Sequence, residues 1–331
     1  MEGRVAIIGL GCVGASIGLA LKEFEPEVEL IGHDRDRERA HKAHRLGAVD
    51  KTHWNLPSAC EGARMVILAL PLSAIEETLE ALAPHLEEGC VVTDTAGLKA
   101  PVLEWAMTHL PEHVHFVAGD PIPGPVAAAG RPLTGLEAAD ADLFDGGTYC
   151  ITPAGNTDPG AVDQVIDLAD TLGAQPLFLD PLEHDGLQAG SAGLSALVST
   201  ALLNATVGSP GWTEMRKVAS QEFIAFTSPS AYDHESQRTS AMLNKENILR
   251  RLDMLLEEIG RLRRILVEED EVALGEAYAR AFESRAVWLD ERTGGEWRDT
   301  DIGTADVPGI GQQISQMLFG GLMRRSRGEE E

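Results

Sequence analysis

Six residues near the N-terminus, Gly9-Leu10-Gly11-Cys12-Val13-Gly14, have the types and spacing to hold a pyrophosphate. In a G-x-G-x-x-G turn the first glycine makes the tight bend and the second lets backbone approach the phosphates. The third lets the following helix pack close to the strand. Phosphates then rest on unpaired N–H groups at a helix N-terminus. Asp34 lies where an acid would accept hydrogen bonds from a ribose 2′-hydroxyl and repel a 2′-phosphate. The expected cofactor is therefore NAD. Arg35 and Arg37 beside it keep NADP open, because a guanidinium there can hold the extra phosphate.

The elements needed to position these residues are legible on both sides of them. Arg4-Val5-Ala6-Ile7-Ile8 is a short, β-branched apolar run, the pattern of a buried parallel strand. Residues 15–22 are apolar at helical spacing, and 28–32 form a second strand that leads to Asp34. Strands are predicted over 65–70, 90–93, 115–118, 148–152 and 175–179, with helices over 73–86 and 162–172. This is the alternation of a doubly wound α/β sheet. From Pro181 the periodicity becomes helical throughout. Three segments are predicted: a Rossmann-type dinucleotide-binding domain over 1–180, an all-helical domain over 181–290 for substrate binding and dimerisation, and an extension over 291–331. Residues 192–208 read as a core helix, and 247–269 carry an apolar stripe fit for a core or a dimer interface.

Composition narrows the partners. The 331 residues suffice for two domains, each with its own core. Fifty-three acidic against 27 basic residues give a net charge of −26, which disfavours nucleic acid and anionic membranes. Cys12, Cys60, Cys90 and Cys150 lack metal-ligand spacing, so no metal is expected. No signal peptide is visible, and a reducing cytoplasm fits.

The landmarks then form a collinear series. Gly9 to Gly14, Ala69-Leu70-Pro71, Val92-Thr93-Asp94 with Lys99, Asp140-Ala141-Asp142-Leu143-Phe144 before Ile151-Thr152-Pro153, Glu183-His184-Asp185 and Asn244 follow one another in order. Together they resemble the prephenate/arogenate dehydrogenases, enzymes of tyrosine biosynthesis. The resemblance covers about residues 4–290. It implies a nicotinamide cofactor in the cleft, a helical dimerisation domain and oxidative decarboxylation of a cyclohexadienyl acid. It also places Leu70, Pro71 and Thr95 beside the cofactor.

Departures fall on the substrate half. Where the family has a serine this chain has Gly97, and where it has a substrate-contacting histidine this chain has Asp120. The family's downstream histidine pair is replaced by Gly193 and Ala196, and Trp212-Thr213-Glu214 stands in place of an arginine-bearing motif. Asp120 is the candidate acceptor for a substrate hydroxyl proton. The other reading makes it a residue that shapes the turn over 119–124. A bare carboxylate there opposes a dianion, since like charges ~4 Å apart cost roughly 4 kcal/mol at a dielectric of 20. Arginine or lysine would have to compensate, and Arg131, Arg216, Lys217 and Arg238 are the candidates. On this argument an amine-bearing, arogenate-like acid suits the site better than prephenate. His184 is either a second catalytic candidate or a residue that caps or packs its helix. Three functions stay open: a dehydrogenase of a small carboxylic acid working as a homodimer, a cofactor-binding sensor that has lost its chemistry, and a structural dimer.

Overall fold

The computed structural model describes residues 3–125, 133–155, 157–228, 233–295 and 297. Eight strands form one sheet: β1 (Arg4–Ile8), β2 (Glu29–His33), β3 (Lys51–Thr52), β4 (Ala63–Leu68), β5 (Val91–Asp94), β6 (His115–Ile122), β7 (Thr148–Pro153) and β8 (Gln175–Phe178). Their order is β3-β2-β1-β4-β5-β6-β7-β8, parallel except where β7 runs antiparallel to β6. The order reverses between β1 and β4, and in open α/β sheets that reversal creates a ligand crevice beyond the strand ends.

Six helices accompany the sheet: α1 (Cys12–Phe24), α2 (Arg37–Leu46), α3 (Leu56–Cys60), α4 (Leu72–Leu82), α5 (Ala100–His109) and α6 (Pro159–Thr171). Alternating strand residues serve two cores, as the two-residue period of a strand requires. Val5 and Ile7 pack with Ile17 and Leu21 of α1 and Val165 and Leu168 of α6. Ala6 and Ile8 face the other way, with Ala59 of α3, Ile75 and Leu79 of α4 and Val102 of α5. Local chemistry sets several helix starts. Asp36 accepts from the N–H groups of Glu38 and Arg39 to cap α2, and Asp158 caps α6 through Ala161.

Beyond the sheet come α7 (Pro181–Gln188), a π-helical turn over Ala189–Gly193, α8 (Leu194–Val207), α9 (Trp212–Val218), α10 (Gln221–Thr227), α11 (His234–Leu243), α12 (Lys245–Val267) and α13 (Glu271–Gly294). The helix predicted over 192–208 exists, but it is not a core helix. Through the π turn it joins α7 into one helix, Pro181–Val207, long and apolar enough by length and composition to cross a membrane; His184, Asp185, Ala189 and Ser199 are buried in it and its other residues are half-buried or exposed. Of α12's stripe, Ile248 is buried while Leu256, Ile259 and Leu266 are exposed. The strand predicted to end at residue 118 runs on to Ile122, so Asp120 lies inside β6 opposite Cys150 of β7. The C-terminal extension, apart from 291–295 and 297, lies outside the described residues.

Candidate active site

The glycine turn has the shape that its sequence requires. Gly9 adopts φ +96°, and a Cβ there would come within 2.2 Å of the Ala69 carbonyl oxygen. A Cβ on Gly14 would approach the Gly9 carbonyl oxygen to 1.9 Å. Gly11 is the opposite case: a Cβ there would meet nothing within 4 Å, so open space lies in front of the turn. The N-terminus of α1 receives no side-chain cap and faces that open space. These residues fit a dinucleotide pyrophosphate.

Asp34 is buried at the end of β2 and carries the turn as well. Its Oδ2 accepts from the Leu10 N–H at 2.9 Å, and its Oδ1 from the Asp36 N–H at 2.8 Å. The cation beside it is neither of those expected. Arg39 reaches Asp34 at 3.4 Å, while the Arg37 guanidinium lies 5.8 Å from the Trp54 ring centre. Arg39 was invisible to a search for neighbours in sequence, because only α2 brings residue 39 back over residue 34. Thr95 follows β5, its N–H bonded to the Leu68 carbonyl at 3.2 Å, and Pro71 starts α4.

A second cluster lies at the ends of β5 and β6. Lys99 is completely buried and donates from Nζ to Asp94 Oδ2 and to the Gly119 carbonyl, both at 2.6 Å. Burial pushes the Asp94 carboxyl upward, against the pull of Lys99 and of the Ala96 and Gly119 N–H groups. Asp185 of α7 accepts from the Lys99 and Ala100 N–H groups at 2.7 and 3.1 Å, so it caps α5 from another element. Asn244 donates from Nδ2 to the Asp185 carbonyl at 2.7 Å, fixing α12 to the same point.

This frame holds Asp120 and His184 together. His184 Nε2 lies 3.1 Å from Asp120 Oδ2, and Nδ1 lies 3.1 Å from Asp185 Oδ1. Gln188, one turn along α7, donates from Nε2 to the same Asp120 oxygen at 2.6 Å. Burial disfavours charge on the His184 ring, but hydrogen bonds to Asp120 and Asp185 outweigh it and lift its pKa to about 10. The ring is therefore an imidazolium between two carboxylates at neutral pH. Two expectations are corrected. His184 is not a helix cap, since Asp180 caps α7 through the Leu182 N–H. Nor is Asp120 a turn residue carrying a bare charge, since it is a strand residue paired with a cation. The penalty against an anionic substrate is offset to that extent.

Gln188 escaped the sequence reading because nothing in its surroundings marks it. Only the pitch of α7 sets it on the same face as His184. The expected substrate cations are not gathered here. Arg216 and Lys217 are exposed at the end of α9, and no hydrogen bond or ion pair among the described residues ties them to Asp120. Arg238 pairs with Glu235 at 2.7 Å, and Arg131 lies outside the described residues.

The family described as prephenate dehydrogenase, nucleotide-binding domain, matches residues 17–177. The prephenate dehydrogenase of Bacillus subtilis is 29% identical over 96% of this chain and 85% of its own length. The cyclohexadienyl dehydrogenase of Zymomonas mobilis is 24% identical over 81% and 89%. Among solved structures, the Synechocystis arogenate dehydrogenase superposes with a TM-score of 0.67 at 25% identity, covering 86% of this chain and 99% of that one. The prephenate dehydrogenase of Aquifex aeolicus, solved with hydroxyphenyl propionate and NAD+, shares the fold with a TM-score of 0.76. It is 24% identical and covers 86% of this chain and 98% of that one.

Proposed function

Because this chain belongs to the prephenate/arogenate dehydrogenase family, we propose that it oxidises a cyclohexadienyl carboxylic acid at the crevice between the glycine turn and Asp120. The observation that carries this reading is the buried Asp120–His184–Gln188 cluster, which the Gly119 N–H ties to Asp94 at the end of β5. Bound on the glycine turn, NAD supplies the hydride acceptor. Asp34 favours the unphosphorylated ribose.

The roles of the chain's own residues follow from their bonds. Asp120 Oδ2 is taken by His184 and Gln188, while Oδ1 has no hydrogen-bond partner among the described residues. Oδ1 is thus the atom available to a substrate hydroxyl. Paired with His184, Asp120 serves as the hydrogen-bond acceptor for that hydroxyl. Lys99 and Asp185 position the pair without touching substrate. Gly97 and Ala196 offer no side chain for hydrogen bonding, so turnover of prephenate is expected to be slow, and the Asp120 charge that His184 offsets only in part leaves the amine-bearing arogenate the better acid.

The experiment is NADH production at 340 nm with prephenate and arogenate, beside calorimetric titration of NAD and NADP. Arogenate should outperform prephenate, and Asp120→Asn should lower kcat about 10²- to 10⁴-fold while NAD affinity is kept. An unchanged rate in Asp120→Asn would remove its role. Turnover of neither acid, with NAD bound, would favour the sensor reading that Gly97, Gly193 and Ala196 support. Tighter binding of NADP would shift the nucleotide role from Asp34 to Arg35 or Arg39.

The assembly belongs to the same reading. The enzyme is a cytoplasmic homodimer joined through its helical region, and the support is the apolar surface left uncovered on α8, α10, α12 and α13.

A further inference from the structure

One cavity, about 500 Å³, lies beside the Asp120 cluster and takes no residue from the glycine turn, Asp34, Thr95 or Gly97. Its floor is one face of three strands. Antiparallel pairing of β6 with β7 sets Ile122 beside Thr148, and parallel pairing of β7 with β8 sets Thr148 beside Gln175 and Cys150 beside Leu177. One wall is the α7 face that carries His184 and Gln188. The other is the end of α13 and the residues just after it, with Arg292, Gly295 and Trp297.

The charge of this lining is unusual for the chain. It holds Arg292 and His184 and, among the described residues, no carboxylate, although the protein carries −26 overall. His184 spends its charge on Asp120 and Asp185. Arg292 does not: its Nη2 donates to the Pro123 carbonyl at 3.0 Å and its guanidinium lies 5.6 Å from the Trp288 ring centre, but no carboxylate among the described residues pairs with it. A partly buried cation above an apolar floor, with Gln175 and Thr148 at the edge, is complementary to a small anion with a flat apolar body.

We propose that this cavity is a second binding site, for a small aryl carboxylate whose carboxylate pairs with Arg292 and whose ring lies on Leu177 and Leu179. The volume is within the range of small-molecule sites. Two of its lining residues, His184 and Gln188, are those that hold Asp120, so an occupant touches the side chains that fix the reaction's hydrogen-bond acceptor. The inference needs no assumption about which acid is oxidised.

Calorimetry on the full-length protein tests it with phenylacetate and its uncharged amide as probes. Phenylacetate should bind, and the amide should bind at least about tenfold more weakly. Arg292→Met should weaken phenylacetate about ten- to a hundredfold while leaving NAD affinity unchanged, which also shows that the variant is folded. Leu177→Trp, which fills the floor, should abolish binding with NAD affinity again intact. Equal affinity for acid and amide, no binding to the wild type, or undiminished binding in both variants would overturn the proposal. Displacement of phenylacetate by NAD or by prephenate would also overturn it, by placing the probe in the reaction crevice. Loss of NAD binding in the wild type would instead count against the dehydrogenase reading, so the two failures are distinct.

Discussion

Gly97 and Gly193 sit in physically different surroundings. Gly97 is exposed, and a Cβ added there would meet nothing within 4 Å. Gly193 lies in the π turn against α12, where a Cβ would be 3.1 Å from Ile248 Cδ1. Gly97→Ser should therefore leave stability within about 0.5 kcal/mol and raise kcat/KM about fivefold, the worth of one hydrogen bond of ~1 kcal/mol. Gly193→His should cost about 1–3 kcal/mol through overpacking. Thermal melts and initial rates on the two variants check both, and a stable Gly193→His would show that α12 yields. His184 makes a further residue-level claim about pH. Its folded-state pKa of about 10 lies above the ordinary 6.5, so its stabilisation is complete below pH 6.5 and fades as pH rises toward 10. The melting-temperature gap between wild type and His184→Gln should be widest near pH 6 and close by pH 10. A gap that widens with pH would mean the ring is neutral in the fold.

At the level of elements, the buried Lys99 shows why the site keeps its form. It joins β5 to β6 through Asp94 and Gly119, while its own N–H is held by Asp185 of α7. Removing one partner of such a pair leaves a buried charge uncompensated, at about 3–5 kcal/mol. Lys99→Met should lower the melting temperature by roughly 10 °C, and a loss under about 2 °C would show that Asp94 finds other donors. This frame also marks the limit of what the chain declares in one dimension. The glycine turn, Asp34 and the strand–helix alternation were legible because each depends on near neighbours, with a period of two or 3.6 residues. The extension of β6 through Asp120-Pro121-Ile122 was not, because a proline and an aspartate read as a turn until β7 pairs with them. Asp120, His184 and Lys99 could be picked out singly. That His184 bonds to Asp120 across 64 positions, with Gln188 on the same oxygen, depends on where α7 docks.

The whole molecule is lopsided in what it covers. The two cores of the sheet bury their apolar residues almost completely. The helices after Pro181 do not: Val218 is 79% exposed, Phe226 62%, Leu256 56% and Phe282 78%. An apolar surface of this kind, in a chain whose charge of −26 otherwise favours separation, needs a cover. In the homodimer proposed above, a second copy would supply one of matched chemistry, because a two-fold interface sets the same face against itself. Light scattering at micromolar concentration should give twice the chain mass. Replacing Leu256 and Ile259 together by glutamate should shift it toward the monomer and lower the melting temperature, since α12 would then lose its cover. The nucleotide turn is built within one chain, from Gly9, Gly11, Gly14 and Asp34. The separated chains should therefore still bind NAD with nearly unchanged affinity. A wild type that scatters as a monomer would leave the apolar face without an explanation in self-association. A double variant that stays dimeric would move the interface to α13, where Tyr278 and Phe282 are the next residues to replace.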